Sequence, residues 1–263
     1  MGTVYKHELK SAWKSLLVWS ICVGGMGFAC ILLFSGVKES MGGLADSFAS
    51  MGAFSEAFGM TQLSIATLPG FFASEVGTVH ALGGAMFAAV LSTMMLSKEE
   101  DGHTGEFLFS LPLARGKIVL AKGGAVVTLV LLFNLVCVGL YLFGIVILGE
   151  EMPMKEFFLF QGMQVVLHLE VAAVCYGISA FQKRNKFGIG LGIVLLLYAY
   201  DLLARVVPDL EKGQWLSPFS YSNAADILST GKVKAGAVVF GVAVLAGGFC
   251  IAYGRYTKRD LAT

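Results

Sequence analysis

Three polar residues capable of chemistry, Asn134, His168 and Glu170, lie inside long apolar stretches of the sequence. A charge at the centre of a membrane costs at least ~2.5–3.5 kcal/mol, so Glu170 is predicted to be protonated, paired or in contact with water. His168 and Glu170 are two residues apart and point to different helix faces, which argues against a shared metal site. The three residues are candidates for lining a translocation path or for bonding helices together, and Asn134 favours the second role.

A second candidate segment is the polar loop of residues 98–117, which separates two apolar stretches. Acidic residues come first, and Thr104 can then cap a short helix that has Glu106 in its first turn. Pro112 ends this helix, because proline cannot continue its hydrogen-bond pattern. The apolar face of the helix would consist of Phe107, Leu108 and Leu111.

Two roles fit a short helix that presents apolar side chains at a membrane surface. It can dock in a groove of another protein, as amphipathic helices commonly do. It can also be an interfacial turn that merely reverses the chain. The residue types by themselves leave both roles open.

Composition points to a membrane protein. Hydrophobic residues make up 56% of the 263 residues and charged residues only 14%, whereas a soluble domain carries about 25% charge. The mean hydropathy is +0.76, so lipid is the expected environment. A net charge of +1 excludes nucleic acid as an expected partner. The five cysteines lie in apolar stretches without a CxxC pair, which favours small apolar residues over metal ligands.

Six apolar segments are long enough to cross a bilayer, which takes ~20 helical residues. Inside lipid the backbone must satisfy its own hydrogen bonds, so the segments are predicted to be helices. The predicted fold is all-α and polytopic, with one transmembrane domain over residues 1–263. The fifth segment contains Asp201 and Arg205, whose i, i+4 spacing allows an ion pair. The predicted spans are approximately 16–36, 77–97, 119–148, 157–181, 187–206 and 235–254.

The distribution of basic residues predicts the orientation. Most of the 19 Lys and Arg residues lie in four segments that six spans would place on one side. By the positive-inside rule this side is cytoplasmic, so both termini are predicted to be cytoplasmic in a multi-pass protein of the cell (plasma) membrane. The four segments are the N-terminus, the 98–122 loop, the 183–186 loop and the C-terminal tail.

Several segments outside the spans have patterns of their own. Residues 4–16 combine an apolar stripe with three lysines, which predicts an amphipathic interfacial helix, or alternatively an extension of the first span. Residues 36–76 contain apolar residues at helical spacing and are predicted to form an outer surface helix, which rests on the outer leaflet or caps the bundle. Aromatic residues of loop 206–232 and His80 are predicted at the outer interface, and Gly188 with Gly192 predicts a close helix approach. The residues behind these predictions are Tyr5, Lys6, Leu9, Lys10, Trp13, Lys14, Leu16, Leu44, Phe48, Met51, Phe54, Phe58, Trp215, Phe219 and Tyr221.

The 98–122 loop closely resembles the hallmark of ABC-2 type permeases. In that pattern an acidic stretch leads into a Gly/Thr–Glu–Phe–Leu–x–Ser–Leu–Pro–x–x–Arg segment, although His103 here separates Gly102 from Thr104. The resemblance extends over nearly the whole chain, through the basic amphipathic start, the six spans, and the segments 215–219 and 256–260. The matching loop residues are Glu99, Glu100, Gly102, Thr104, Glu106, Phe107, Leu108, Ser110, Leu111, Pro112, Arg115 and Lys122.

The resemblance implies the transmembrane subunit of a bacterial ABC exporter. Thr104 to Leu111 would form a coupling helix that seats in a separate ATPase, with two ATPase copies and a second permease, identical or paralogous, completing the assembly in the lipid bilayer. The chain has no G-x-x-x-x-G-K-[ST] motif, so it is expected to be neither an enzyme nor a holder of cofactors or metals, with ATP and Mg²⁺ bound by the partner. The implied ATPase-coupling residues are Glu99, Glu100, Gly102, Thr104, Glu106, Phe107, Leu108, Leu111, Pro112 and Arg115.

Two other classes compete with this interpretation. A membrane-embedded metalloprotease could use Glu99 and Glu100, but the Glu-Glu-x-x-x-Arg pattern has Thr104 where Arg is required, and HExxH is absent. An ion-coupled secondary transporter could use Glu170. Inverted repeats would favour that class, and none is clear in this sequence.

Overall fold

In the part of the chain that the computed structural model describes, six helices are long and apolar enough to cross a membrane. The structure describes residues 1–52, 55–56, 61–102, 104 and 113–258, with only the backbone described for 39–49, and no strand occurs among these residues. The predicted all-α polytopic fold is therefore confirmed. The helices are α1 (Gly2–Ser20), α2 (Met26–Ala49), α3 (Leu68–Phe71), α4 (Thr78–Met94), α5 (Lys98–Asp101), α6 (Arg115–Leu148), α7 (Met154–Ser179), α8 (Phe187–Val206), α9 (Pro208–Glu211), α10 (Ala224–Thr230) and α11 (Ala235–Lys258).

The first span consists of α1 and α2, joined without a break by a π-helical turn over Ile21–Gly25. The amphipathic segment 4–16 is thus continuous with the first span, as in the alternative interpretation of its sequence. No Gly or Pro occurs between Thr3 and Val23, so nothing interrupts the helical hydrogen bonds. The second span begins in α3 and passes through a similar π-helical turn, Phe72–Gly77, into α4.

The second and fourth spans form the centre of the bundle. In their most apolar windows 61% and 56% of residues are buried, against 22% for the fifth and sixth spans. The main core contains Phe72, Phe133, Tyr141, Phe157 and Phe160, all without solvent exposure. The fifth and sixth spans are consequently the helices that present most of their surface outward.

Contacts at both ends show which segments share a side of the bundle. Lys38 Nζ lies 2.6 Å from Glu150 Oε1, where the first and third spans end. At the opposite end, Ser97 Oγ donates to Asn185 Oδ1 at 3.0 Å, and Tyr256 packs in one buried cluster with the end of α4. The N-terminus, the 98–122 loop, the 183–186 loop and the end of α11 therefore lie on one side of the bundle.

Close helix approach occurs at other glycines than predicted. A Cβ added at Gly188 or Gly192 would meet nothing within 4 Å, whereas one at Gly190 would lie 2.4 Å from Thr93 Oγ1. The prediction for Gly188 and Gly192 is wrong within this chain, because α8 is rotated so that Gly190 faces α4. At Gly248 of α11, an added Cβ would lie 2.4 Å from the Ala173 carbonyl oxygen of α7.

The segment between the fifth and sixth spans folds back onto the bundle. Phe219 and Tyr221 are only 3% exposed, which corrects their predicted interfacial position, while Trp215 stays exposed and packs edge-on against Phe240. The segment is held by hydrogen bonds to the spans, such as Gln164 Nε2 to the Ser222 carbonyl oxygen at 2.7 Å. Its aromatic side chains can therefore enter the core without leaving the backbone unpaired.

The predicted outer surface helix is described only in part. The helix of the first span continues to Ala49, and Met51 beyond it is exposed. The side chains of Leu44, Phe48, Phe54 and Phe58 lie outside the described residues. Their predicted surface position stays a prediction.

Candidate functional site

The predicted coupling helix falls largely outside the described residues, and both ends of its loop are described. The outside part includes Glu106, Phe107, Leu108, Leu111 and Pro112. At one end of the loop, α5 contains Glu99 and Glu100, and Gly102 follows it. At the other end, Arg115 begins α6. Thr104 turns back to this helix, because its backbone N–H donates to the Glu99 carbonyl oxygen at 2.8 Å. The start of the loop is thus folded onto its own first turn.

Four charged side chains meet at the root of this loop, and we name them the Lys122 cluster: Glu8, Lys98, Glu99 and Lys122. Lys122 has no solvent exposure and donates to the Glu99 carboxylate and, at 2.7 Å, to the Met95 carbonyl oxygen. Its Nζ also lies 3.3 Å from Glu8 Oε1. Glu8 is 1% exposed, and its other oxygen accepts a hydrogen bond from Lys98. The two anions balance the two cations.

The Lys122 cluster connects three separate parts of the chain. Glu8 comes from α1 of the first span, Lys98 and Glu99 begin the loop, and Lys122 belongs to the third span. Taking charges out of water is costly, and attraction between partners offsets this cost only while every partner is present. The cluster therefore stabilises one particular arrangement of the loop root against the first and third spans.

Sequence reasoning matched Lys122 to the permease pattern but missed Glu8. A signal was available, because Glu8 is the one acidic residue among the first 20 and lies between Lys6 and Lys10. An isolated acid in a basic amphipathic helix calls for a partner. The identity of that partner depended on tertiary packing.

A second polar group lies inside the membrane-spanning part, and we name it the His168 cluster: His80, Asn134, Tyr141 and His168. Asn134 Oδ1 lies 3.1 Å from His168 Nδ1, and Tyr141 Oη lies 3.1 Å from His80 Nδ1. The two imidazole rings meet edge to face at 5.3 Å between centroids. The cluster joins the second, third and fourth spans at the centre of the bundle.

His168 contacts a carbonyl oxygen with each ring nitrogen. Besides the Asn134 contact, its Nε2 lies 3.3 Å from the Ala81 carbonyl oxygen. A neutral imidazole has one N–H and can donate to only one of these oxygens at a time. Gly84 makes room for the ring, since an added Cβ there would lie 2.2 Å from His168 Cε1.

His80 is fully buried, so its predicted interfacial position is wrong. The helix of the second span extends back to Leu68, beyond the predicted bound near residue 77. This earlier start places His80 about 18 Å along the span, at 1.5 Å per residue. The apolar windows of the sequence did not reveal the early start, because Glu75 interrupts them.

Glu170 lies on another face of α7 from His168, as their spacing predicts. It is 4% exposed, and its Oε2 accepts a hydrogen bond from the Tyr221 hydroxyl at 2.6 Å. Burial, together with the adjacent carboxylate, raises the pKa of Tyr221, so the phenol keeps its proton and donates. Gly241 leaves room for the pair, because an added Cβ would lie 2.4 Å from Glu170 Oε2.

The three predicted path residues therefore do not form one surface. Asn134 and His168 contact each other, whereas Glu170 contacts the segment between the fifth and sixth spans through Tyr221. All three are at most 4% exposed and bonded to protein groups in this conformation. In this conformation the three side chains bond parts of the bundle to one another. Their role in a translocation path stays a prediction.

Ionic contacts also form at the C-terminal end of the fifth span. Arg205 Nε donates to Asp201 Oδ2 at 3.0 Å, which confirms the predicted i, i+4 pair. Arg205 also contacts Asp226 of α10, with Nη1 to Oδ2 at 3.3 Å. Arg205 and Asp226 border an open cavity of about 680 Å³, which Lys234 and Glu56 also line.

The chain matches a known protein family over nearly its whole length. The sequence pattern of a family described as ABC-2 family transporter protein matches residues 3–261. No protein with a curated description matches the chain significantly.

Proposed function

As a member of the ABC-2 transporter family, the chain is the permease subunit of an ABC transporter, and we propose that it exports its substrate with energy from a separate ATPase. The ATPase docks on the cytoplasmic loop 99–115. Two ATPase subunits bind ATP and Mg²⁺, and a second permease, identical or paralogous, completes the pathway. The assembly lies in the cell (plasma) membrane with both termini in the cytoplasm.

The observation that supports this proposal most is the Lys122 cluster at the root of the loop. A force applied to the loop acts directly on Lys98 and Glu99. Through Glu8 and Lys122 the same force reaches the first and third spans. Because packed helices change between discrete arrangements rather than deforming continuously, such a connection can convert ATPase closure into a different packing of the bundle.

Assembly with the ATPase tests the docking role. We expect the double variant Phe107→Asp, Leu111→Asp to lose copurification with the ATPase, since two charges would disrupt an apolar contact in a groove. Leu216→Asp is the matched control, because Leu216 is 48% exposed on the outer side and should leave assembly unchanged. Unchanged assembly of the double variant would contradict docking at this loop.

Coupling can be separated from assembly by measuring ATP hydrolysis. The permease is expected to change the ATPase rate of its partner in vesicles, and Lys122→Met should remove this change while copurification remains. Sustained selective flux from vesicles that contain the permease alone would contradict the ATP-driven mechanism. The ion-coupled alternative rests on Glu170, whose carboxylate is already bonded to Tyr221, so no contact of this conformation favours it.

A further inference from the structure

One carboxylate of the second span is exposed. Glu75 lies in the π-helical turn Phe72–Gly77, between α3 and α4, and is exposed. Among the described residues it forms no hydrogen bond or ion pair. Single π-helical turns inside longer helices are uncommon and often lie at functional sites. Glu75 is therefore a candidate for a contact with something outside this chain.

Contacts of the neighbouring turns show how deep Glu75 lies. The Phe72 ring meets Tyr141 edge-on, at 5.8 Å between centroids. One turn beyond Glu75, His80 Nδ1 lies 3.1 Å from the hydroxyl of the same tyrosine. Glu75 thus lies at the level of Tyr141 on α6. Farther along α6, Val146 is 77% exposed, and an exposed apolar surface of this kind is typical of contact with lipid. Glu75 is therefore at a level that lipid surrounds.

A second carboxylate at membrane depth has a partner. Glu170 is 4% exposed and accepts a hydrogen bond from Tyr221. An ionised carboxylate within the membrane requires a partner or contact with water. Because no described residue pairs with Glu75, water or a ligand is left to stabilise its charge.

Partly exposed residues continue from Glu75 along one side of the second span. We name these residues and Glu75 together the Glu75 strip: Phe71, Glu75, Thr78, Leu82 and Met86. Their three- and four-residue spacing keeps them on one face of the helix. The strip thus combines one carboxylate and one hydroxyl with an aromatic ring and two flexible apolar side chains.

The Glu75 strip lies in a furrow between the first and fifth spans. On one side of Leu82, Ala81 packs in a buried cluster with Val194 of α8. On the other side, a Cβ added at Gly83 would lie 2.6 Å from Val23 Cγ2 of the first span. Leu82 itself is half-buried, so the furrow is open along its length.

We propose that the Glu75 strip is part of the substrate-binding surface and that the exported substrate is an amphiphilic cation. Its positive charge pairs with Glu75. Its apolar part lies along Leu82 and Met86, and a methionine thioether adapts to varied shapes. The occupant is a cation because an unpaired carboxylate in an apolar setting attracts positive charge and repels an anion. This substrate class rests on the proposed function, in which the permease carries the cargo.

Binding to the purified full chain, without an ATPase, tests the substrate class. The probe is tetraphenylphosphonium, and tetraphenylborate is an anion of the same shape. In phosphatidylcholine nanodiscs, after subtraction of binding to protein-free discs, we expect the chain to bind the phosphonium and not the borate. Glu75→Gln should weaken phosphonium binding roughly tenfold, because it removes the paired charge. Glu75→Asp keeps the charge and should retain most of the binding. Glu151→Gln removes an exposed carboxylate outside the spans and is the matched control.

Reaction with a water-soluble reagent tests whether the strip faces water. In a chain whose five cysteines are replaced by alanine, Glu75→Cys should react with a charged methanethiosulfonate, and tetraphenylphosphonium should slow the reaction. Leu135→Cys is the control, because Leu135 is 67% exposed on the third span and should be covered by lipid. An unreactive Glu75→Cys would overturn the proposal, since lipid or a second permease would then cover the strip.

Two binding results would also overturn it: equal binding of the phosphonium and the borate, or undiminished binding by Glu75→Gln. The ATP-driven mechanism has a separate readout, which is ATP-dependent flux of tetraphenylphosphonium into vesicles that contain the ATPase as well. Binding that depends on Glu75 would support the cation site even without such flux. Absence of the flux would then contradict the proposed function instead.

Discussion

The Lys122 cluster and the His168 cluster both contain fully buried polar side chains, but the two clusters differ in charge and in position. The Lys122 cluster consists of formal charges at the end of the bundle and joins the loop root to two spans. The His168 cluster consists of neutral hydrogen-bonding groups at the centre and joins three spans. Fully paired charges are tolerated near the membrane boundary, whereas neutral hydrogen-bonding groups are favoured deep in the hydrocarbon. The first arrangement suits a contact that transmits movement, and the second suits one that holds helices in register.

The largest effect is expected for Lys122→Met. This change removes the fully buried cation shared by Glu8 and the partly buried Glu99, and breaking a buried pair costs about 3–5 kcal/mol. A large drop in the melting temperature of the purified chain would show it. If adding Glu8→Gln to Lys122→Met restores part of the lost stability, Glu8 and Lys122 are energetically coupled. A melting temperature of Lys122→Met equal to that of the wild type would contradict the role assigned to the cluster.

The next effect is expected for Gly84→Ala at the His168 cluster. The new methyl group would overlap the His168 ring, so the ring or helix must shift at a cost of about 1–3 kcal/mol. Gly139→Ala is the control, because its Cβ would meet nothing within 4 Å. Equal melting temperatures for the two alanine variants would show that His168 does not lie against Gly84.

Lys98→Met sharpens the comparison within the Lys122 cluster. Lys98 is 27% exposed, and Glu8 would still have Lys122, so a loss of about 1 kcal/mol or less is expected. Added salt should reduce the difference from wild type, because exposed charges are screened. If Lys98→Met lost as much stability as Lys122→Met, the difference in burial between the two lysines would not determine their contributions.

The smallest effect is expected for Asn134→Ala. Hydrogen bonds between membrane helices contribute about 0.6 kcal/mol on average, and Asn134 makes one such bond, to His168. The melting temperature should fall slightly, and Asn134→Ala combined with His168→Ala should be less harmful than the sum of the single changes. Strictly additive losses would indicate that the two side chains do not interact.

Much of the fold could be predicted because its cause is local. Hydropathy along the chain predicts the six apolar, membrane-length segments. Spacing along one helix predicts the Asp201–Arg205 pair. The site was less predictable: Glu170 and His168 were correctly assigned to different faces, but Tyr221 as the partner of Glu170 could not be found. That contact joins residues 51 positions apart and requires the segment between the fifth and sixth spans to fold back.

The amino-acid sequence by itself determined the number of spans, their helical state and the grouping of basic segments on one side, because lipid imposes these through composition and length. Only the tertiary structure decided that Gly190 rather than Gly188 meets a neighbour, that His80 is central rather than interfacial, and that Glu8 is the partner of Lys122. Each of these depends on how far a helix is rotated and how deep it begins. The rotation and depth of a helix are set by its packing against other helices. The residue pattern along one helix carries no information about that packing.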